Sequence, residues 1–240
     1  MVKLGLAPSR ERAQALILAG QIVVDDHAVT KAGQLVAETA QVRLKGEAMP
    51  YVSRGGLKLA HALDHFGLDV RGLAALDVGA STGGFTDVLL QRGARAVCAL
   101  DVGRGQLAWS LRQDPRVTVR EGINARYLEP AQLPFVPEIV TCDASFISLT
   151  LLLPKLVEVT GPSAKWIIAL IKPQFEVGKG AVGKGGVVRD PEARRAAVDK
   201  ALACARDLGC EAVNWCESPI QGPAGNVEYL MVLESDRYKL

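Results

Sequence analysis

The sequence predicts an α/β fold built on a doubly wound, mainly parallel sheet of seven strands, preceded by a small α+β domain. From residue 51 onward, apolar segments typical of strands alternate with segments typical of helices, as in parallel sheets that carry helices on both faces. The first 48 residues lack this alternation and indicate one helix followed by short strands. With 49% hydrophobic residues, the 240-residue chain can bury a sizeable core.

The predicted N-terminal domain comprises residues 1–48. Ser9 is suited to cap the predicted helix, because its hydroxyl can accept a backbone N–H of the first turn. Residues 21–30 indicate a short hairpin, and residues 41–44 supply another short strand. Residues 49–55 are interpreted as a linker to the second domain.

Residues 56–240 form the predicted larger domain. We expect its strands near 74–79, 95–100, 116–120, 138–142, 165–171, 211–216 and 228–234. We expect its helices near 56–66, 84–92, 105–112, 149–159 and 191–208. The last two strands are joined by the Pro- and Gly-rich segment 218–226, which has no room for a helix, so they should be antiparallel neighbours.

The most informative segment is residues 76–85, in which an apolar strand ends in a turn of small residues before a helix begins. Such a turn lets the backbone approach a ligand, and the free N–H groups of the helix start favour an anionic partner. A second strand ends in Asp101, 17 positions after Gly84, near the offset at which a carboxylate can accept ribose hydroxyls. The pattern predicts a site for a dinucleotide or S-adenosylmethionine, and the glycine spacing is closer to that of the latter. The alternative is a tight strand-to-helix turn that binds no ligand.

Four side chains with acid–base chemistry fall at one predicted edge of the sheet. Asp143 and Lys172 follow strands, Glu228 opens the last strand, and Lys58 lies on the helix before the sheet. A lysine acts as a general base only when its pKa falls well below about 10.4, which burial and a neighbouring ammonium can achieve. We expect the two lysines to form that pair and the two acids to orient them. Taken singly, a Lys or Glu at a strand end is usually a solvated surface group, and Asp143 could simply cap the following turn through Ser145.

Composition and charge narrow the class of protein. The net charge of +2 gives only faint support for a polyanionic partner. The five cysteines include no C-x-x-C pair, which is typical of reduced thiols in the cytoplasm. The N-terminus lacks the apolar core of a signal peptide, and no apolar run reaches the ~18 residues that a bilayer requires. We therefore expect a cytoplasmic protein.

One basic segment resembles a phosphate-binding loop. Residues 178–184 match the pattern G-x-x-x-x-G-K, but Gly185 stands where Ser or Thr should hold magnesium. We interpret the segment as a basic loop that either closes on RNA phosphates or is an unstructured connection.

Four segments together resemble the hemolysin-A-like (TlyA) family: Tyr51–Leu59, Leu76–Asp87, Cys142–Ser148 and Ile171–Glu176. Proteins of this family join an S4-type RNA-binding domain to an FtsJ-like methyltransferase domain with a Rossmann-like, class I fold. The likeness covers essentially the whole chain. Most of the family's usual first helix is missing here, so we expect the S4-type domain to be truncated at its N-terminus.

The resemblance implies transfer of a methyl group from S-adenosylmethionine to a ribose 2′-hydroxyl of ribosomal RNA, with cytidine as the target and without a metal. It places a catalytic tetrad on Lys58, Asp143, Lys172 and Glu228, in which Lys172 withdraws the hydroxyl proton. The implied cofactor-binding residues are Asp77, Gly79, Ser81, Thr82, Gly83, Gly84, Phe85, Asp101, Asn124 and Asp143. The candidate RNA-binding residues are Arg10, Arg12, Arg54, Lys179 and Lys184.

Two alternative functions stay open at this point. The family's other name implies a membrane-active hemolysin, which would need an amphipathic insertion segment. A protein that binds RNA without catalysis, as an assembly factor, would hold RNA but not the methyl donor.

Overall fold

A computed structural model describes residues 1–24, 27–36, 40, 42–45, 49–160, 164–210 and 213–234. The side chain of Lys179 lies outside this description. The chain forms two compact units, Met1–Pro50 and Tyr51–Leu240. Within the described residues, no helix combines the length and the apolar character needed to cross a membrane.

The N-terminal unit contains one helix and a three-stranded antiparallel sheet. Its elements are α1 (Arg10–Leu18), β1 (Ile22–Val24), β2 (His27–Val29) and β3 (Val42–Leu44). The hydroxyl of Ser9 accepts the Arg12 N–H at 3.2 Å, which confirms the predicted cap. β1 pairs with both β2 and β3, which confirms the predicted hairpin and third strand, although residues 25–26 of the hairpin lie outside the described part.

The larger unit alternates strands and helices as the sequence predicts. Its strands are β4 (Ala74–Val78), β5 (Ala96–Asp101), β6 (Val117–Glu121), β7 (Ile139–Cys142), β8 (Trp166–Ile171), β9 (Val213–Glu217) and β10 (Tyr229–Glu234). Its helices are α2 (Gly55–Phe66), α3 (Gly84–Gln91), α4 (Trp109–Arg112), α5 (Leu149–Thr160), α6 (Pro173–Glu176) and α7 (Pro191–Asp207). Glu228 therefore lies one residue before the last strand instead of opening it.

Helix α4 is shorter than predicted, since it begins at Trp109 and the sequence suggested residue 105. The residue before it, Ala108, is extended, with a ψ of 139°, and its N–H donates to the carbonyl of Thr82 at 3.1 Å. This bond to the glycine-rich turn holds the preceding residues away from helical geometry. Tertiary contact thus overrides the local propensity.

The seven strands form one sheet in the order β6-β5-β4-β7-β8-β10-β9. The first five are parallel to one another, while β10 pairs antiparallel with both β8 and β9. The predicted antiparallel ending is therefore confirmed. The chain enters at β4, builds outward to β6 and returns at β7, so the order reverses between β4 and β7, where doubly wound sheets bind their ligands.

Helices cover both faces of this sheet. One core cluster packs α5 and α7 on the sheet through fully buried leucines such as Leu152 and Leu156. The opposite cluster packs α2 and α3 through Leu59 and Leu89. Each such leucine contributes about 1.5–3 kcal/mol on burial, so the two clusters hold the carboxyl ends of the strands in a fixed arrangement.

Candidate active site

The candidate site lies at the carboxyl ends of the parallel strands, where the strand order reverses. Two adjoining cavities open there, a smaller one of about 340 Å³ and a larger one of about 710 Å³. Gly79, Ser81, Asp143 and Ser145 line both cavities. All four residues of the predicted tetrad line the smaller cavity, so the structure brings them together.

Lys58 and Glu228 form a buried ion pair across the smaller cavity wall. The Nζ atom of Lys58, on α2, donates to Oε2 of Glu228 at 2.5 Å. The two residues are 6% and 1% exposed. Removal of either partner would leave an uncompensated charge in a site shielded from water, which is strongly unfavourable.

Lys172 forms the second lysine–carboxylate pair. Its Nζ atom lies 2.6 Å from Oδ1 of Asp143 and donates to the hydroxyl of Ser145 at 2.7 Å. It also donates to the backbone carbonyl of Asp143 at 3.4 Å. Each lysine of the tetrad is therefore paired with one acid.

The glycine turn brings backbone segments unusually close together. Gly79 has a φ of 79°, and a Cβ there would lie 2.8 Å from the carbonyl oxygen of Asp143. A Cβ on Gly84 would lie 2.4 Å from Oγ of Ser53, at the start of α2. Only glycine permits both approaches. The first sets the turn after β4 against the loop after β7, and the second sets the start of α3 against the start of α2.

Asp101 and Asn124 line the larger cavity, as predicted for cofactor-binding residues. The carboxylate of Asp101 accepts the N–H of Ser81 at 2.8 Å and that of Gly103 at 2.7 Å. The side chain of Asn124 accepts the N–H of Arg126 at 3.0 Å. These bonds fix both side chains at the cavity wall.

Two predicted cofactor residues, Asp77 and Gly83, line neither cavity. Asp77 is fully buried and accepts hydrogen bonds from the hydroxyls of Thr86 at 2.6 Å and Thr141 at 2.9 Å. Burial raises the pKa of Asp77 to about 6, although both hydroxyl bonds oppose the shift. The Cβ position of Gly83 is occupied by Leu111 and its neighbours, so this glycine serves packing. The structure thus shows both residues packed beside the turn.

The remaining cofactor candidates, Thr82 and Phe85, line the smaller cavity together with Gly84. Phe85 is only 3% exposed, so most of its ring packs in the core. Its position at the start of α3 makes it part of the cavity floor.

The RNA-binding candidates fall in three places. Arg54 is exposed and lines the smaller cavity. Lys184 is exposed in a 3-10 turn, while the Lys179 side chain falls outside the described residues. Arg10 is exposed and Arg12 partly exposed on α1 of the N-terminal unit.

Sequence reasoning missed Asn226, which is 2% exposed. Its Oδ1 atom accepts the N–H of Val188 at 2.9 Å, and its Nδ2 atom donates to the carbonyl of Gly186 at 2.9 Å. Asn226 thereby ties the basic segment to the loop that leads into Glu228. An asparagine beside glycine in a loop looks like any turn residue, so no signal in one sequence distinguishes it.

A doubly wound sheet with antiparallel last strands, a glycine turn beside the carboxylate of Asp101 and two lysine–acid pairs are the features of an α/β methyltransferase. Comparison with family models agrees. Residues 51–235 match the FtsJ-like methyltransferase family, and residues 1–42 match the S4 domain. The chain belongs to the FtsJ-like methyltransferase family, whose methyl donor is S-adenosylmethionine, as the sequence resemblance implied.

Relatives extend over nearly the whole chain. It is 48% identical over 236 residues to the 16S/23S rRNA (cytidine-2′-O)-methyltransferase TlyA of Mycobacterium tuberculosis, covering 98% of this chain and 88% of the relative. It is 41% identical to Hemolysin A of Brachyspira hyodysenteriae, covering 94% of each. A solved structure of a hemolysin-like protein from Streptococcus thermophilus aligns with a TM-score of 0.77 and 42% identity, covering 96% of this chain and 85% of that one.

Proposed function

We propose that the protein methylates the ribose 2′-hydroxyl of a cytidine in ribosomal RNA, in the cytoplasm. The observation that carries this proposal is the pair of lysine–carboxylate contacts in one cavity beside the glycine turn. A ribose hydroxyl is a weak nucleophile, and acid–base groups in this position suit its deprotonation. The name of the Mycobacterium tuberculosis relative agrees with this substrate.

The larger cavity fits the methyl donor. Its volume suits a ligand of nucleoside size. Each carboxylate oxygen of Asp101 has accepted one N–H and can accept a further bond from a ribose hydroxyl. Gly79, Asp101 and Asn124 would hold the donor, which supplies a methyl group on a positively charged sulfur.

Lys172 is the proposed general base. Asp143 and Ser145 hold the Nζ atom in place. After the ammonium has released one proton to solvent, the neutral amine accepts the proton of the 2′-hydroxyl as the methyl group leaves the sulfur. Lys58, held by Glu228, donates a hydrogen bond to the ribose oxygen. Because these groups are fixed before the RNA arrives, most of the acceleration comes from positioning.

The RNA is held by cations around the smaller cavity and on the N-terminal unit. Arg54, at the cavity wall, contacts a phosphate next to the target nucleotide. Lys179 and Lys184 contact phosphates further along the strand, and Arg10 and Arg12 give the S4 unit its hold on RNA. The proposed domains are therefore an RNA-binding unit over residues 1–48, a linker over 49–55 and a catalytic unit from residue 56.

The test is to identify the methylated product. Ribosomal subunits are incubated with the protein and labelled S-adenosylmethionine, and the labelled nucleoside is identified by mass spectrometry. The expected product is 2′-O-methylcytidine, whose 3′-phosphodiester resists alkaline cleavage. Methylation of a base would contradict the proposal. RNA binding without transfer would support the assembly factor, and leakage of liposomes would support the membrane-active alternative.

A further inference from the structure

Glu176 is a buried acid that the proposed chemistry does not use. It is the last residue of α6, the short helix that starts directly after Lys172. Its side chain is 1% exposed, and it lines neither cavity of the site. A carboxylate is rarely buried without fixed partners, so its contacts should show why it is there.

Both carboxylate oxygens of Glu176 bind the loop that follows Asp143. Oε2 accepts the hydroxyl of Ser148 at 2.5 Å, and Oε1 accepts the N–H of Leu149 at 2.7 Å. Leu149 is the first residue of α5, so its N–H has no partner within the helix. The negative charge is also favourable at a helix N-terminus. Glu176 therefore caps α5 from a different element of the fold.

Lys200, on α7, also contacts Glu176 and Ser148, and we call these three residues together with Leu149 the Glu176 cluster. Its Nζ atom donates to the backbone carbonyl of Glu176 at 2.9 Å and lies 3.5 Å from Oε2 of that residue. It also donates to Oγ of Ser148 at 3.5 Å. Lys200 thus connects α7 to the loop that carries Asp143 and to the segment that follows Lys172.

These contacts close a ring between the two loops. Asp143 starts the loop after β7 and Ser148 ends it, while Lys172 and Glu176 stand at the two ends of the segment after β8. The loop starts are joined by the Lys172–Asp143 pair, and the loop ends are joined by Glu176. If the contacts of Glu176 with Ser148 and Leu149 loosen, the two loops lose the constraint that holds Nζ of Lys172 2.6 Å from Oδ1 of Asp143.

We propose that Glu176 is a positioning residue that holds Lys172 against Asp143 through Ser148 and the start of α5. The inference rests on the proposed role of Lys172 as general base. It predicts that a change at Glu176 alters the chemical step and the surroundings of the Lys172 amine. A simple helix cap would alter only stability.

The test is Glu176→Gln in the full chain, with Glu158→Gln on the exposed surface of α5 as the matched control. The variant keeps the shape and the bond to Leu149, but places an amide NH2 where Oε2 accepts from Ser148. We expect kcat to fall about tenfold, since misplacement of a reacting group by ~1 Å can cost about 100-fold. The Kd for S-adenosylmethionine and the KM for RNA should stay within about twofold, because no binding residue changes.

A second readout does not depend on activity. The reaction rate of the Lys172 amine with acetic anhydride is followed by mass spectrometry of its peptide, with the peptide of the exposed Lys165 as internal reference. In Glu176→Gln the Lys172 rate should change at least about threefold relative to Lys165, because a weakened contact with Asp143 alters the reactivity of the amine. If wild-type protein transfers no methyl group, the proposed function fails, while this labelling still decides the role of Glu176.

The inference is overturned if Glu176→Gln lowers the melting temperature but leaves both kcat and Lys172 labelling unchanged. Should Glu176→Gln fail to fold, Ser148→Ala is the second variant. It keeps the carboxylate of Glu176 and removes the hydroxyl that donates to it. That variant should show the same direction of change in kcat and in labelling, and unchanged values for both would equally overturn the inference.

Discussion

Gly222 provides a way to disturb the tetrad without changing any charged residue. It lies in the loop before Glu228, and its φ is outside the left-handed region, so alanine brings no backbone strain. A Cβ at this position would lie 2.4 Å from Oε1 of Glu228 and 3.0 Å from its Cδ atom. Gly222→Ala must therefore displace the carboxyl group that holds Lys58.

The size of the effect follows from that displacement. Moving Oε1 to an ordinary contact distance requires a shift of about 1 Å, which would lengthen the 2.5 Å contact to Lys58 by a similar amount. At an effective dielectric constant of ~20, this weakens the ion pair by about 2 kcal/mol. In a chain of this length that corresponds to a melting temperature lower by about 4–8 °C.

The assay is urea unfolding followed by tryptophan fluorescence, because all three tryptophans lie in the larger unit. Gly178→Ala is the control, since a Cβ there meets no atom within 4 Å. In a Glu228→Ala background the cost of Gly222→Ala should fall to near zero, because the clash partner is gone. An equal cost in both backgrounds would refute the reasoning.

Three further predictions concern the sheet interior, the donor cavity and the RNA. Burial raises the pKa of Asp77 from 3.8 to about 6, so the folded state holds the proton more tightly than the unfolded state. The free energy of unfolding therefore falls by about 3 kcal/mol as pH rises from 3.8 to about 6. Asp77→Asn should abolish this loss in urea titrations between pH 4 and pH 7. Asp101→Asn should weaken S-adenosylmethionine binding about tenfold in calorimetry, because a hydrogen bond to a charged acceptor contributes about 1.5 kcal/mol or more; unchanged affinity would exclude its ribose contact. Lys184→Ala should weaken RNA binding and lower the salt slope by about one, and an unchanged slope would remove this lysine from the interface.

Much of the fold could be predicted because the sequence patterns that indicate it are local. The glycine turn at 76–85 and the alternation from residue 51 each lie within a short window, and the structure confirms the doubly wound, mainly parallel sheet that they predict. The positions of Asp143 and Lys172 also follow, since both come directly after buried strands and parallel strands share one carboxyl edge.

Local sequence patterns could not predict which lysine pairs with which acid in the site. Lys58 and Glu228 are 170 residues apart, and nothing local shows that each lysine selects one acid. The resemblance implied that Asp77 binds the cofactor, but no local pattern shows that this carboxylate is buried and bonded to two threonine hydroxyls from other elements. Glu176 likewise acquires its partners only when three elements meet.

The central claim is that Lys172 removes the proton of the ribose hydroxyl. The most direct measurement is the single-turnover rate of methyl transfer to ribosomal RNA by Lys172→Ala, compared with Lys155→Ala on the surface of α5, with donor affinity measured by calorimetry. We predict a loss of about 100-fold or more for Lys172→Ala, with donor affinity within about twofold and Lys155→Ala at the wild-type rate. A Lys172→Ala variant that binds the donor and transfers methyl at the wild-type rate would contradict it.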